Sequence, residues 1–405
     1  MKRIYSALWC LSLLIFQTDS NSEAYQIGGM YTQHYRDGTY AEWGKYSRIG
    51  AKLALEYINK SSLIWPDTIE MHPENIIDYH CSSENVALMV KSLMEKDIIA
   101  ITGAECSNPA VVMANSGSQF KVPVISYGAN AAELSSSLIY PWFVRVVSPS
   151  ETYEKYLIDL AAFFNIRKIA FIHTSDAWGR GASRVIDEAA KKFNIEVLKK
   201  FSFSRDSSQT EIDKILEIIK TNNIKHIFIT APTPDTVKFF RSVNTFDLNK
   251  KGYSFYASEL ILSDTPDDVI SGAAGYFAPI AGLSISPELN EYIKNYESFT
   301  GETADLNSGN FIYSVLSYDH IILIANAIKL LKLNDLDVSG ENIIDYIRQV
   351  DFIGASGRIS YKNRSYGILL APINIIFFHV MNKDGYSVLK RVKQSGMRTG
   401  ALTIF

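Results

Sequence analysis

The chain has 405 residues, 47% of them hydrophobic, with 40 basic against 43 acidic side chains. At roughly 150 residues per domain this is material for two or three domains with sizeable cores. A net charge of -3 without blocks of like charge excludes the electrostatic footprint of a nucleic-acid binder, and the balanced composition excludes a disordered scaffold.

At the N-terminus, Lys2 and Arg3, the apolar run Tyr5 to Phe16 and the small residues Ser22 and Ala24 follow in the order of a secretory signal peptide. The run is too short to span a bilayer, so residues 1–24 are expected to be a leader cleaved after Ala24. Trp9 precedes Cys10 where a lipoprotein leader needs a small residue, so a lipid anchor is not expected. Cleavage removes Cys10 and leaves Cys81 and Cys106 in an oxidising compartment, where a single disulfide is expected. The mature protein is therefore expected to be periplasmic or secreted.

Short apolar runs then alternate with helical patterns. Residues 25–30, 74–80, 98–102 and 123–126 read as strands, and 41–59, 82–96 and 109–120 as helices. Tyr140 to Val147 reads as a strand leading into a boundary at Ser148-Pro149-Ser150, with Ser150 as N-cap of the next helix. The rhythm restarts with helix 151–164, strand 167–173, helix 178–193, strand 195–200, helix 209–222, strand 225–230, helix 235–246 and strand 253–257. Such alternation implies parallel sheets covered by helices on both faces. A second boundary falls at Gly272 to Pro279, followed by helices near 287–300, 309–332 and 340–349 and the glycine-rich Ile353 to Gly357. The chain closes with strand Ile373 to Val380, a turn at Asn382 to Gly385 and a short strand. Residues 311–331 are apolar enough to be weighed as a membrane span. Ser314, Ser317, Asp319 and His320 interrupt them, and the steps Phe311, Val315, Tyr318, Ile322 are those of a buried globular helix.

Signatures of catalysis are missing: the chain has no phosphate-binding loop, no His-Glu-x-x-His and no Gly-x-Ser-x-Gly, and its seven histidines show no metal-like pairing. No catalytic residue, metal site or cofactor is expected; an exported hydrolase would have to rely on His173 or Ser126. Thr102 to Pro109 follows a strand and opens a helix, with Pro109 suited to the first helical position and Ser107 or Asn108 to the cap. N–H groups at the carboxyl end of a parallel strand favour an anion such as a carboxylate, and Ser107 adds a hydroxyl; the plainer alternative is an ordinary capped helix. Gly128 and Asn130 follow another strand end, where small residues admit a ligand and the amide offers donor and acceptor. Trp178, after Thr174-Ser175-Asp176-Ala177, either covers a ligand or packs within its own domain. Glu259 puts a carboxylate at a further strand end, against the reading of a solvated surface Glu.

Together these residues resemble the type I periplasmic binding-protein superfamily across essentially the whole mature chain. The likeness is to the leucine/isoleucine/valine-binding proteins of bacterial ABC importers, related to the ligand-binding ectodomains of class C receptors. Gly38 to Gly44 with Gly50 to Ala54 and Tyr57-Ile58-Asn59, Pro123 to Tyr127 with Glu133-Leu134-Ser135, Tyr140 to Val147, and His173 to Gly179 carry the resemblance. It implies an α/β fold of two Rossmann-like lobes with parallel sheets joined by three crossovers. Residues 25–147 and 280–358 would form lobe 1, residues 148–279 and 359–405 lobe 2, and the ligand would lie in the interlobe cleft. It also implies a disulfide between Cys81 and Cys106 in lobe 1. By resemblance, Ser107 binds the ligand carboxylate, Gly128 offers its backbone, and Asn130 falls where relatives usually have threonine. Trp178 covers the ligand, Glu259 pairs with its ammonium, and Trp43 and Tyr40 line the side-chain end. Ala131 and Ala132 depart from the family's usual Ser/Thr-Pro. The function implied is capture of a small ligand, an α-amino acid or close amide relative first among the candidates, by hinge closure for delivery to ABC permease subunits. The alternative is a sensor module signalling through a membrane partner; no nucleic-acid partner is expected.

Overall fold

The computed structural model describes residues 22–258, 269, 276–283, 285–306, 308–361, 374–383 and 386–393. Residues 1–21 of the expected leader, Cys10 among them, lie outside them, as does Glu259, whereas Ala24 is the first residue of a strand.

The chain opens with strand β1 (Ala24–Tyr31), helix α1 (Glu42–Lys60), β2 (Thr68–Glu70), β3 (Ile76–Asp78), α2 (Val86–Met94), β4 (Ala100–Gly103), α3 (Ser107–Phe120), β5 (Val124–Ser126) and β6 (Phe143–Arg145). These strands form one parallel sheet in the order β2-β1-β4-β5-β6, with β3 also paired to β1. A second series follows: α4 (Ser150–Phe163), β7 (Lys168–Thr174), α5 (Ala177–Lys192), β8 (Glu196–Phe203), α6 (Gln209–Thr221), β9 (His226–Thr230), α7 (Thr233–Thr245), β10 (Ser254–Ala257) and β11 (Tyr276–Gly282). The chain then gives α8 (Pro287–Thr300), α9 (Gly309–Leu333), α10 (Gly340–Ile347), the hairpin β12 (Asp351–Gly354) and β13 (Gly357–Ser360), and β14 (Asn374–Lys383) with β15 (Tyr386–Lys393). The second sheet has the order β15-β14-β11-β10-β9-β7-β8, parallel from β8 to β11 and antiparallel at β14 and β15.

The apolar runs behave as doubly buried strands should. In β7, Ile169 and Phe171 face the core made with α4 and α5, while Ala170 and Ile172 face the core made with α6 and α7. Side chains alternating between two covered faces produce a continuous apolar run in the sequence. In the first sheet α2 and α3 cover one face, and α1, α8, α9 and α10 build the core on the other. Helix α9 is apolar on almost every side because it is buried there; Val315, Ile321, Leu323, Ile324 and Ile328 have no solvent exposure. Each such side chain contributes about 1.5–3 kcal/mol on burial. Gly50 on α1 lets this helix approach closely, since a Cβ there would sit 2.0 Å from the carbonyl oxygen of Ser314.

The sheets are joined by three passages of the chain, after β6, after β11 and after β13. Ahead of the third, the β12–β13 hairpin is anchored by Asp319 of α9. Its carboxylate accepts from the N–H of Ala355 (2.9 Å), the N–H of Ser356 (2.7 Å) and the Ser356 hydroxyl (2.5 Å), holding the turn between β12 and β13. This is the α/β fold of type I periplasmic binding proteins, with two parallel-sheet lobes.

Several local expectations need correction. The predicted strand 74–80 is a single turn of tight helix followed by the three-residue β3. Helix α3 begins at Ser107, two residues earlier than the cap pattern implied, with Cys106 as N-cap and no side-chain cap. Pro149, not Ser150, caps α4. Ser107 is bonded to the Ala131 N–H instead, and Ser150 lies inside the first turn with its hydroxyl buried. The predicted boundary at Gly272 to Pro279 is crossed by β11, and the final strand, predicted short, has eight residues.

Candidate ligand cleft

An open α/β sheet places its crevice where the strand order reverses, beyond the carboxyl ends of the strands. In the first sheet that point lies between β1 and β4, and in the second between β7 and β9. The chain leaves β4 through Gly103 (φ +115°) and Ala104 (φ +64°), two consecutive left-handed residues. A Cβ at Gly103 would strike the Met30 carbonyl oxygen at 1.9 Å. The Ala104 carbonyl is then fixed by the Ser126 hydroxyl (2.8 Å) and the Ala129 N–H (3.1 Å), which ties the β4 exit to the β5 exit. Such strained backbone persists only where its surroundings hold it.

The two exits converge on Ser107. Its hydroxyl oxygen accepts from the Ala131 N–H at 3.1 Å, leaving its own proton to donate. Gly128 lies against Glu105, whose Cα would be 2.9 Å from a Cβ at that position, so the 128–131 loop passes directly over the start of α3. Asn130 is half-buried, and its carbonyl accepts from the Ser150 N–H at 2.7 Å, linking the loop to the first crossover. Its side-chain amide makes no hydrogen bond among the described residues.

From the second sheet, Asp176 caps α5 by accepting from the Gly179 N–H (3.0 Å) and the Thr174 hydroxyl (2.8 Å), which aims the first turn of α5 at the other lobe. Trp178 is buried in the apolar cluster that also holds Ala110, Met113, Ala129, Ala131 and Leu134 of the first lobe, and its indole N–H has no acceptor among the described residues. Asn108 accepts from the Ala177 N–H at 2.9 Å across the cleft. Arg205 donates to Asp176 at 3.0 Å and reaches the Cys81 sulfur at 3.7 Å. The two lobes are thus in contact, enclosing a cavity of 220 Å³ lined by Cys81, Cys106, Asn108, Asp176, Ser204 and Arg205. The disulfide between Cys81 and Cys106 is present and forms part of this wall.

Charged groups around the cleft are buried. Burial pushes the Glu105 carboxyl up to about 8, against the downward pull of the Tyr79 hydroxyl that donates to it. Arg145 at the end of β6 has no solvent exposure, and burial lowers it to about 10, so it stays charged at neutral pH. Glu154 of α4 is raised by burial to about 8, with the Thr230 hydroxyl at 3.3 Å.

The structure brings Ser107, Gly128, Asn130 and Trp178 into one neighbourhood. Tyr40 lies on the loop after β1 and Trp43 in the first turn of α1: the Trp43 indole donates to the Tyr35 hydroxyl at 2.6 Å, and Tyr40 is 42% exposed against His34. His173 points its Nδ1 at the Thr174 carbonyl at 2.8 Å and stacks on Phe171, and Ser126 is spent on the loop backbone. Sequence reasoning missed Asn108 and Arg205 as bridging residues and Arg145 as a buried cation. Only Arg145 left a signal, a charge inside the apolar run Phe143-Val144-Arg145-Val146-Val147.

Comparison with known proteins agrees with this geometry. Residues 47–369 match the family described as receptor family ligand binding region, and the chain belongs to that family. Glutamate receptor 3.1 of Oryza sativa subsp. japonica is 23% identical over 384 residues, covering 86% of this chain and 40% of the receptor. Metabotropic glutamate receptor 4 of Rattus norvegicus is 25% identical over 264 residues, covering 57% of this chain and 28% of the receptor. The chain thus spans less than half the length of these relatives. Among solved structures, an ABC transporter solute binding protein from R. palustris in complex with 4-hydroxybenzoate superposes with a TM-score of 0.75 at 17% identity, covering 91% of this chain and 96% of that one. The branched-chain amino acid binding protein LivJ from Streptococcus pneumoniae, in complex with isoleucine, gives 0.70 at 16%, covering 92% and 100%.

Proposed function

We propose that this protein is an exported solute-binding protein that captures a small carboxylate ligand, an α-amino acid first among the candidates, between two closing lobes. The observation that carries the reading is the convergence of Ser107, the 128–131 loop and Trp178 at the switch points of both sheets. Ser107 and the loop N–H groups would receive the carboxylate, Trp178 would cover the ligand from the second lobe, and Trp43 and Tyr40 would line the far end. Glu259 would meet an ammonium group. The lobes, divided between β6 and α4, after β11 and after β13, would move as units. Benzoates and branched-chain amino acids, the ligands of the structural neighbours, have only the carboxylate in common, which supports it as the invariant part of recognition.

Delivery to ABC permease subunits is the output favoured by the structural neighbours. A ligand-sensing module working through a membrane partner is the second reading, favoured by the glutamate-receptor relatives. A thermal-shift screen of amino acids and aromatic carboxylates tests the binding claim. A true ligand at 100 times its Kd should stabilise by about 2.7 kcal/mol. If no carboxylate moves the melting temperature, the reading is wrong.

A further inference from the structure

We propose that Arg145 is the specificity-determining charge of the cleft, a buried guanidinium that makes the 129–132 loop select ligands carrying a carboxylate. This rests on the placement of the ligand carboxylate at Ser107 and that loop.

The guanidinium is fully buried and bonds directly to no carboxylate among the described residues. One Nη donates to the carbonyls of Ala129 (3.2 Å) and Ala131 (2.8 Å), and the other donates to the Ser135 hydroxyl at 2.5 Å. Its Nε has no partner among the described residues. The Glu151 carboxylate, reached through the Ser135 hydroxyl at 3.5 Å, offsets part of the cost of burying this cation, and an anion placed in the cleft would offset more of it.

The backbone conveys that charge to the cleft. In a trans peptide the N–H points opposite to its C=O. The two carbonyls on Arg145 belong to the peptide units whose N–H groups are those of Asn130 and Ala132. Arg145 therefore draws on the oxygen ends and polarises the N–H ends, which face away from it. Neither N–H donates to an acceptor among the described residues. The nitrogen of Ala132 lies 3.5 Å from where a Cβ would stand on Gly181 of α5, so this side of the loop faces the second lobe. Between the two units, the Ala131 N–H is bonded to Ser107. Arg145 thus orients the two peptide units that flank the 130–131 unit, which is itself held by Ser107 at its N–H and by the Ser150 N–H at its carbonyl. A peptide dipole bonded to a full charge is a stronger donor at its other end.

Arg145 does not touch the ligand in this account, so a role in loop stability alone must be told apart from a role of its charge. The test compares ligand pairs that differ only in charge: L-leucine with L-leucinamide, and 4-hydroxybenzoate with 4-hydroxybenzamide. Binding to wild type, Arg145→Lys and Arg145→Met is measured by titration calorimetry at low and at moderate salt. Wild type should prefer the carboxylate of the pair it binds by at least 100-fold. Arg145→Met should lose at least 10-fold of that preference, and Arg145→Lys should keep most of it. Equal weakening of both members of a pair by Arg145→Met would make the residue a loop brace only and overturn the proposal. If Arg145→Met does not fold, Ser135→Ala and Arg145→Lys carry the test: Ser135→Ala, which leaves the charge in place, should keep the preference. Loss of the preference in Ser135→Ala with an intact Arg145 would also overturn it. Failure of wild type to bind any carboxylate would instead remove the reading of the cleft on which the proposal stands.

Discussion

Glu154 shows how far a single residue's chemistry is set by its burial. Its carboxyl has no solvent exposure and one hydroxyl donor, so burial lifts it from the usual carboxylate value to about 8. The same cause lifts Glu105 to about 8. An acid whose pKa is raised on folding binds more protons in the native state, so stability falls as pH rises from the unfolded towards the folded pKa. His320, driven down to about 3 by burial, works in the opposite sense and loses stability as pH falls below about 6.5. Between pH of about 6.5 and 8 only the raised carboxyls contribute. Denaturant melts over that window should show stability declining, and Glu154→Gln should roughly halve the decline. An unchanged slope in Glu154→Gln would mean that Glu154 is ionised in the folded protein. None of this is visible in the sequence, where Glu154 occupies an ordinary amphipathic helix. Serines 107 and 150 mislead in a related way: each has the chemistry of a cap, but one is bonded to Ala131 and the other is buried beside the crossover. At Ser107 a tertiary partner overrides the cap that the local pattern signals.

At the scale of elements, strands buried on both faces were legible, because β7, β9 and β10 leave continuous apolar runs between helices. Three-residue strands such as β2 were not, since so short a segment has no period to read. Strand β11 was hidden by Pro279. A proline inside a sheet is tolerated where the ladder is open on one side, and Pro279 lies beyond Phe277, the last residue paired with β10. Two fasteners hold elements that packing alone does not. The disulfide closes a loop of 25 residues, and Cys81→Ser with Cys106→Ser should cost about 3–4 kcal/mol in urea melts. A cost near zero would show that the loop is already ordered in the unfolded chain. Asp319→Ala leaves two buried N–H groups at Ala355 and Ser356 without an acceptor, for about 2–4 kcal/mol. Hydrogen exchange at those two amides should then rise well above that of α9. Protection retained there would mean that the β12–β13 turn does not depend on α9.

For the whole molecule, the sequence resemblance already implied two lobes and a cleft, while the contacts across the cleft come from residues whose partners are distant in sequence. Asn108 and Ala177 are 69 positions apart, and nothing local marks either as a bridge. Such contacts act on affinity through the population of the closed form. Asn108→Ala should weaken every ligand by the same factor, about five-fold for a bond of about 1 kcal/mol, without changing their order. A change in ligand order would place Asn108 on the ligand itself. The central claim is that a carboxylate is held between Ser107 and Trp178. Titration calorimetry of wild type, Ser107→Ala and Trp178→Ala with the carboxylate returned by the screen tests it most directly. Saturable one-to-one binding that weakens at least ten-fold in each variant is the predicted result; binding left unchanged in both variants would contradict the account.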